Sequence, residues 1–324
     1  MNQEMSKLFK KFREVCEGYD DIAIFSHVRP DGDSIGASLA VDILLKKMGK
    51  NSKIFFKDEV PEVFKFLPES SNVFKIKDFE PHNYEMIIVV DISEVTRTGV
   101  DEVLFAGKYI VCVDHHYTNQ GFAKLNIINP NKAATCLLLY EIFKDQFPEF
   151  IDQNIATCLL AGIISDTGGF KYRNTDSEVF MAVSDLLKYD VNYQNLMNSI
   201  YCSYPERKLS LWRKVLGKVN VQEDIIYSTI EENDFIESCA RQEDTEGMVN
   251  DLLIYKPVHV AFLAMQTGEK EYKVSIRSKG MDVSTVASKF GGGGHKNAAG
   301  FNFTGDIQEN ISRILEFTRN YMEK

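Results

Sequence analysis

The chain has 324 residues and a formal net charge of -10, from 47 acidic and 37 basic side chains. Its longest apolar runs, such as 87–90 and 109–113, fall far short of the ~20 residues with which a helix spans a bilayer, which predicts a soluble chain. The acidic balance also argues against coating long nucleic acid through counterion release; a small phosphorylated substrate, captured by metal ions and a few cations, is compatible with it.

At this length two domains are expected, each able to bury a core. Residues 1–11 are polar and lack the apolar stretch of a secretory signal, which predicts a cytoplasmic location. The cysteines at 16, 112, 136, 158, 202 and 239 form no C-x-x-C pair and read as buried thiols rather than disulfides or zinc ligands.

In chain order, residues 22–26 predict a short strand and 34–48 a helix, with Ile35, Leu39, Ile43 and Leu44 near helical spacing. Residues 53–56, 86–90, 109–113 and 125–128 predict further strands. Their near-continuous apolar character fits a parallel sheet with helices over both faces. Helices are predicted over 134–143, 153–164 and 177–189. The turn-rich Ser165-Asp166-Thr167-Gly168-Gly169 puts Asp166 on a loop.

Periodicity blurs over 190–209, where the boundary falls: a domain over 1–190, a linker over 191–210 and a second domain over 211–324. The second half predicts strands over 218–221, 225–230, 259–265 and 272–277, with helices over 248–253, 283–290 and 307–322. The alternation of Tyr272, Val274 and Ile276 with Lys273, Ser275 and Arg277 marks a sheet with one wet face. The fold class is therefore α/β, a parallel-sheet domain followed by a smaller mixed-sheet α/β domain.

Aspartates and histidines recur at the ends of the first-half strands. His27, Asp31 and Asp33 follow the first, Asp91 ends a later one, and Asp114, His115 and His116 end the next. Ligands of parallel sheets collect beyond the carboxyl ends of the strands. Carboxylates and imidazoles converging there, with Asp166, match what two adjacent divalent cations require. The bland reading of each segment alone is a helix cap or a solvated turn. Late in the chain, the run Gly291 to Gly294 followed by His295 can bring backbone N–H groups close to a phosphate or base.

The segments Ser26-His27-Val28-Arg29-Pro30-Asp31-Gly32-Asp33-Ser34, Val90-Asp91, Asp114-His115-His116 and Ser165-Asp166-Thr167-Gly168, in this order, resemble the motifs of the DHH phosphoesterase family. The stretch from Gly291 through His295 to Ala298-Ala299-Gly300 resembles the signature of the domain that accompanies it. The resemblance covers both halves and is strongest to short two-domain oligoribonucleases that degrade nanoRNA, often with 3′-phosphoadenosine-5′-phosphate (pAp) phosphatase activity. It implies that His27 and Asp31 hold one metal, Asp33, His115 and Asp166 the other, and Asp91 bridges them. It further implies two divalent cations, most often manganese, with His116 facing the scissile phosphate and Asp114 orienting the histidines.

Arg277, Gly292, Gly293, Gly294 and His295 are implied to hold the nucleotide, with the active site in a cleft between the domains. The partners so implied are short RNA oligonucleotides, dinucleotides or pAp, with a homodimer possible within the family. The alternative within the family is a phosphodiesterase for cyclic dinucleotides or their linear products.

Overall fold

Short, almost wholly apolar strands separated by helices build the first half of the chain. The computed structural model describes residues 3–322 and divides into two units, Met1–Ser203 and Tyr204–Lys324. The first contains α1 (Gln3–Gly18), β1 (Asp21–Phe25), α2 (Gly32–Lys47), β2 (Asn51–Phe56), β3 (Val73–Lys75), β4 (Met86–Val90), β5 (Tyr109–Asp114), β6 (Leu125–Ile128), α3 (Thr135–Gln146), α4 (Gln153–Asp166), α5 (Ser177–Leu186) and α6 (Tyr193–Tyr201). All strand pairs are parallel, in the order β3-β2-β1-β4-β5-β6. The order reverses between β1 and β4, the switch point at which such sheets bind ligands.

The two sheet faces differ. Ile22, Ile24, Ile88, Val90, Val111 and Val113 pack with α1 to α6 in one core. Their neighbours Ala23, Phe25, Ile87, Val89 and Cys112 pack instead with Phe79, Tyr84, Val100 and Phe105, carried by loops and short 3₁₀ turns. The expected helical cover on both faces is thus corrected to helices on one face and an aromatic lid of loop residues on the other. The lid rings interlock; Phe79, for example, meets Phe25 edge-on at 4.9 Å.

Helix α2 is buried at every position from Gly32 to Leu45, because it lies between the sheet and α4. That approach depends on glycine. A Cβ at Gly36 would sit 2.4 Å from the Cys158 carbonyl oxygen, and one at Gly32 would sit 2.5 Å from Ser165 Cβ. The start of α2 and the end of α4 are thereby held together, and with them Asp31, Asp33 and Asp166.

Four further expectations need correction. Asp166 is the last residue of α4, not a loop residue. The helix predicted over 177–189 stops at Leu186 and continues as a 3₁₀ turn. The blurred stretch 190–209 holds α6 and the start of α7 (Glu206–Gly217). Of the cysteines, Cys202 and Cys239 are exposed and the other four are buried.

After α7, the second unit runs through β7 (Asn220–Gln222), β8 (Ile225–Ile230), α8 (Glu232–Ser238), α9 (Met248–Leu252), β9 (Val260–Gly268), β10 (Glu271–Ser278), α10 (Val283–Lys289), β11 (Gly293–His295), β12 (Ala298–Thr304) and α11 (Ile307–Met322). Its sheet, ordered β11-β12-β10-β9-β8-β7, is mixed: β8 and β9 are parallel and the other pairs antiparallel. One face is covered by α10 and α11 through Val286, Ile311 and Ile314. On the other, α7 and α9 cover β8 and β9 through Leu211, Val215 and Met248. The glycine run is not simply a loop, since Gly293 and Gly294 pair with β12 as an edge strand.

Candidate metal centre

The first unit's polar cluster is assembled from the ends of β1, β4 and β5 and from three helix termini. Beyond β1, the Ser26 hydroxyl donates to the Val90 carbonyl at 2.9 Å, tying the ends of β1 and β4. Arg29 takes a left-handed conformation (φ 54°), its N–H donating to Asp58 at 2.7 Å, and the chain turns into α2. Asp31 caps that helix, accepting from the Ser34 N–H at 3.0 Å. The cap reading and the ligand reading of Asp31 therefore coexist.

Asp91 follows β4 and is also left-handed, with φ 59°. Such a conformation is uncommon outside glycine but is tolerated by Asp and Asn. Its N–H still donates to Val113 at 3.0 Å, so the turn begins without giving up the ladder to β5. Its carboxylate lies between two histidines: Oδ2 is 3.5 Å from His27 Nε2, and Oδ1 is 3.5 Å from His115 Nε2. His27 Nε2 lies 3.7 Å from Asp31, and His115 Nε2 lies 3.3 Å from Asp166 and 4.0 Å from Asp33.

Two triads able to hold a cation result, His27–Asp31–Asp91 and Asp33–His115–Asp166, and a third, Asp91–His115–His116, overlaps both. The third is not independent. His116 Nδ1 is 2.7 Å from Asp114 Oδ1, and while it donates there it has no lone pair to offer.

Each histidine is held from its far side. His27 Nδ1 is 3.0 Å from the Val28 carbonyl and His115 Nδ1 is 3.1 Å from the Lys132 carbonyl. A ring that donates through Nδ1 presents the Nε2 lone pair to the cluster, the arrangement by which metal-ligating imidazoles are oriented. Asp114, fully buried, receives the Asn119 amide at 2.7 Å on its other oxygen. The Asp114 pKa is lowered: burial opposes this, but the hydrogen bonds and charge of His116 and the Asn119 bond outweigh it.

Asp33 is fastened most firmly. Both oxygens accept backbone N–H groups at the start of α3, from Thr135 at 2.6 Å and Cys136 at 2.8 Å. Ala134, at the cap position of α3, has no side-chain oxygen to give, so Asp33 caps that helix from α2. The Thr135 hydroxyl donates to Asp91 at 3.1 Å.

Charge in the cluster is unbalanced. Burial, and then the charge of Asp91, push the Asp33 pKa up to about 7. Burial and the charges of Asp33, Asp31 and Asp91 push Asp166 well above the carboxylate range. Burial alone would lower His27, but Asp31 and Asp91 overcome it and raise it to about 10. Carboxylates that destabilise one another's ionised forms at this range are the electrostatic complement of bound cations.

All eight first-half candidates, His27, Asp31, Asp33, Asp91, Asp114, His115, His116 and Asp166, are thus brought to one sheet edge. Sequence reasoning passed over Thr135, Asn119 and the Lys132 carbonyl. One signal was present for the first: a helix beginning Ala133-Ala134 has no capping side chain of its own, so its cap has to come from elsewhere.

In the second unit, Arg277 of β10 and His295 of β11 pair with Ala298 from opposite sides, so all three share one sheet face in one row. Arg277 Nη1 donates to the Ile276 carbonyl at 3.0 Å. The glycines separate by role. A Cβ at Gly292 would meet the Gly300 oxygen at 2.2 Å, and one at Gly294 (φ 144°) would meet the Ala298 oxygen at 2.6 Å, whereas one at Gly293 would meet nothing within 4 Å. Gly292 and Gly294 are required by packing, whereas the Cβ positions of Gly291 and Gly293 are in open space.

A parallel sheet with acidic and imidazole side chains gathered at its switch point has the layout of the metal-dependent phosphoesterases. Residues 21–163 match the DHH family, N-terminal domain, and residues 222–324 match the DHHA1 domain. The chain is 31% identical to the bifunctional oligoribonuclease and PAP phosphatase NrnA of Thermus thermophilus, over 99% of this chain and 95% of that protein. It is 26% identical to the probable bifunctional oligoribonuclease and PAP phosphatase NrnA of Streptococcus mutans, over 95% and 99%. The crystal structure of an exopolyphosphatase-related protein from Bacteroides fragilis superposes with a TM-score of 0.91 at 25% identity, covering 98% of each chain. The chain belongs to the DHH phosphoesterase family.

Proposed function

We propose that this protein hydrolyses short oligoribonucleotides to mononucleotides and removes the 3′-phosphate of pAp, using two divalent cations. The observation that carries the metal-dependent chemistry is Asp91, whose two oxygens each face a different histidine and a different triad. The substrate class rests on the near full-length similarity to relatives named for these two activities.

The donor set fits the cations. Two imidazoles and four carboxylates, His27, Asp31, Asp33, Asp91, His115 and Asp166, suit manganese over a thiolate-seeking ion, and the raised pKa values of Asp33 and Asp166 reflect negative charge that cations would offset. When bound, such a pair activates water and stabilises charge on the phosphoryl oxygens. His27, Asp31 and Asp91 hold one cation, Asp33, His115 and Asp166 the second, and Asp91 spans both.

His116 is the residue that meets the scissile phosphate. Burial lowers its pKa, but the Asp114 hydrogen bond and the charges of Asp91 and Asp114 raise it above the ordinary histidine value. A larger fraction is therefore imidazolium near neutral pH, able to donate to a phosphoryl oxygen as charge develops there. Arg277 and His295 hold the nucleotide base or a distal phosphate, and Gly293 admits it close to the backbone.

The test is a turnover panel in manganese, magnesium, cobalt and zinc, with linear diadenylate, a pentaribonucleotide, pAp and cyclic diadenylate compared by kcat/KM. Fastest turnover of the linear RNA substrates and pAp in manganese, with mononucleotide products, is expected. Preference for cyclic diadenylate would overturn the substrate assignment, and turnover unaffected by a chelator would overturn the metal chemistry.

A further inference from the structure

The triad Asp33–His115–Asp166 draws its members from α2, the end of β5 and the end of α4, yet one short segment bears on all three. Residues 132–136 offer the Lys132 carbonyl to His115 Nδ1 at 3.1 Å and the Thr135 and Cys136 N–H groups to Asp33. Asn174 ties the same segment to the remaining member: its Nδ2 donates to the Ala133 carbonyl at 3.1 Å and to the Asp166 carbonyl at 3.0 Å. The geometry of the triad therefore depends on what fixes residues 132–136.

From Thr135 onward the fixing is done by α3. Lys132 lies ahead of that helix. Its N–H donates to the Asn129 carbonyl at 3.1 Å, and its side chain is clamped: Nζ lies 2.6 Å from Glu141 Oε1 of α3 and 2.6 Å from Glu178 Oε1 of α5. Only 9% of the lysine side chain is exposed. Burial lowers the Lys132 pKa, but the hydrogen bonds and charges of the two glutamates outweigh it and raise it, so the ammonium is charged at neutral pH. An ammonium shared by two carboxylates and largely shielded from water is screened little by salt.

Resting on the reading of this cluster as a two-cation centre, we propose that Lys132 is a positioning residue for the second cation: its clamped ammonium fixes the peptide whose carbonyl orients His115. A ring that donates to that carbonyl through Nδ1 keeps its Nε2 lone pair aimed at the triad. Without the ammonium, Glu141 and Glu178 face each other uncompensated, the peptide at 132 is free to turn, and His115 loses the partner that sets its orientation. The sign of the effect is diagnostic. A lysine acting only through its charge would repel a bound cation, so its removal would tighten cation binding; a lysine acting through its carbonyl weakens binding when it is removed.

The experiment is calorimetric titration of the metal-free full chain with manganese, in wild type, Lys132→Met, Lys132→Arg and Lys144→Met, with Lys132→Met repeated in a His115→Ala background. Lys132→Met should weaken one of the two binding events about tenfold and leave the other, the usual effect of losing a ligand's support. The manganese concentration that half-activates pAp hydrolysis should rise by the same factor, while kcat in saturating manganese and KM for pAp stay near wild type. Lys132→Arg should keep most of the affinity. Lys144 also links α3 to α5, through Asp185, so Lys144→Met loosens the same helix pair outside the cluster and should leave manganese binding unchanged. In His115→Ala, adding Lys132→Met should alter the affinity less than about twofold, because the residue it acts through is gone. Should Lys132→Met not fold, Glu178→Gln, which loosens the ammonium without removing it, should weaken the same event by a smaller factor. Unchanged or tighter manganese binding, an equal loss in Lys144→Met, or an undiminished loss in the His115→Ala background overturns the assignment of Lys132. Wild type that takes up no manganese overturns the two-cation reading and this proposal together, an outcome visible before any variant is compared.

Discussion

Gly162→Ala tests whether the metal centre depends on the close approach of α3 and α4. A Cβ at Gly162 would lie 2.3 Å from Cys136 Sγ, 2.9 Å from Cys136 Cβ and 2.8 Å from Asp33 Oδ1. All three atoms belong to buried groups, and the Cys136 N–H is itself bonded to that Asp33 oxygen. Alanine in mid-helix gains about 0.5–1 kcal/mol over glycine, while overpacking of a filled core costs about 1–3 kcal/mol. The net is a destabilisation of about 1–2 kcal/mol, or about 3–6 °C in Tm for a unit of this size. Displacing Asp33 should weaken divalent-cation binding by about 10–100-fold, the usual effect of disturbing a ligand's support. Thermal unfolding in chelator and calorimetric titration with manganese measure the two effects. The double variant Gly162→Ala, Cys136→Ala removes the sulfur and should recover about 1 kcal/mol of the loss. Gly217→Ala is the control: nothing lies within 4 Å of its Cβ position, so it should be neutral or mildly stabilising. Unchanged Tm and metal affinity in Gly162→Ala, or no recovery in the double variant, would refute the reasoning.

Asp91→Asn keeps a residue that tolerates the left-handed backbone while removing the negative charge and one of the two acceptor oxygens between the triads; turnover should fall at least about 10³-fold, and substantial residual activity in saturating manganese counts against the bridging role. Asp114→Asn removes the charge that helps raise His116, so its pKa should fall; since the protonated form is the donor, the alkaline limb of kcat/KM should move to lower pH, and an unmoved limb would refute it. In metal-free protein the raised carboxylates make the folded state hold protons that the unfolded chain has released. Stability in chelator should therefore decline as pH rises from near 4 through about 7, the Asp33 value. Asp166→Asn should flatten that decline and raise Tm in chelator near pH 7.5, yet diminish the stabilisation that manganese gives to wild type; a lower Tm in chelator would contradict the charge-repulsion account.

The metal centre was more legible than its surroundings, for a physical reason. Carboxylates and imidazoles at the ends of apolar strands stand out because burial of such groups is expensive without a partner, and Asp91 and Asp114 each follow an apolar run that is difficult to read as anything but a buried strand. Asp166 was misassigned because glycines after it signal a turn, whereas α4 runs up to that turn and ends on the aspartate itself. Thr135 and Cys136 act on Asp33 through backbone N–H groups, which carry no side-chain signature. The loop lid over the second face of the sheet was invisible because 3₁₀ turns are too short to show periodicity. Likewise β11 is mostly glycine, with no propensity or alternation to mark a strand.

The bonds from Thr135 and Cys136 to Asp33 bear on how the candidate centre would be maintained without a cation. A carboxylate gripped by two amides of a neighbouring helix keeps its place whether or not a cation is present, and the positive end of that helix dipole partly compensates its charge. On the two-cation reading, uptake of an ion on that side would be a docking event onto a standing socket rather than the last step of folding. The same grip makes Asp33 hard to exchange: glutamate would reach past the amides, and asparagine could accept from only one of them through oxygen. A position that looks like one ligand among six is therefore also a fastener between α2 and α3, and selection on either role would hold the other in place.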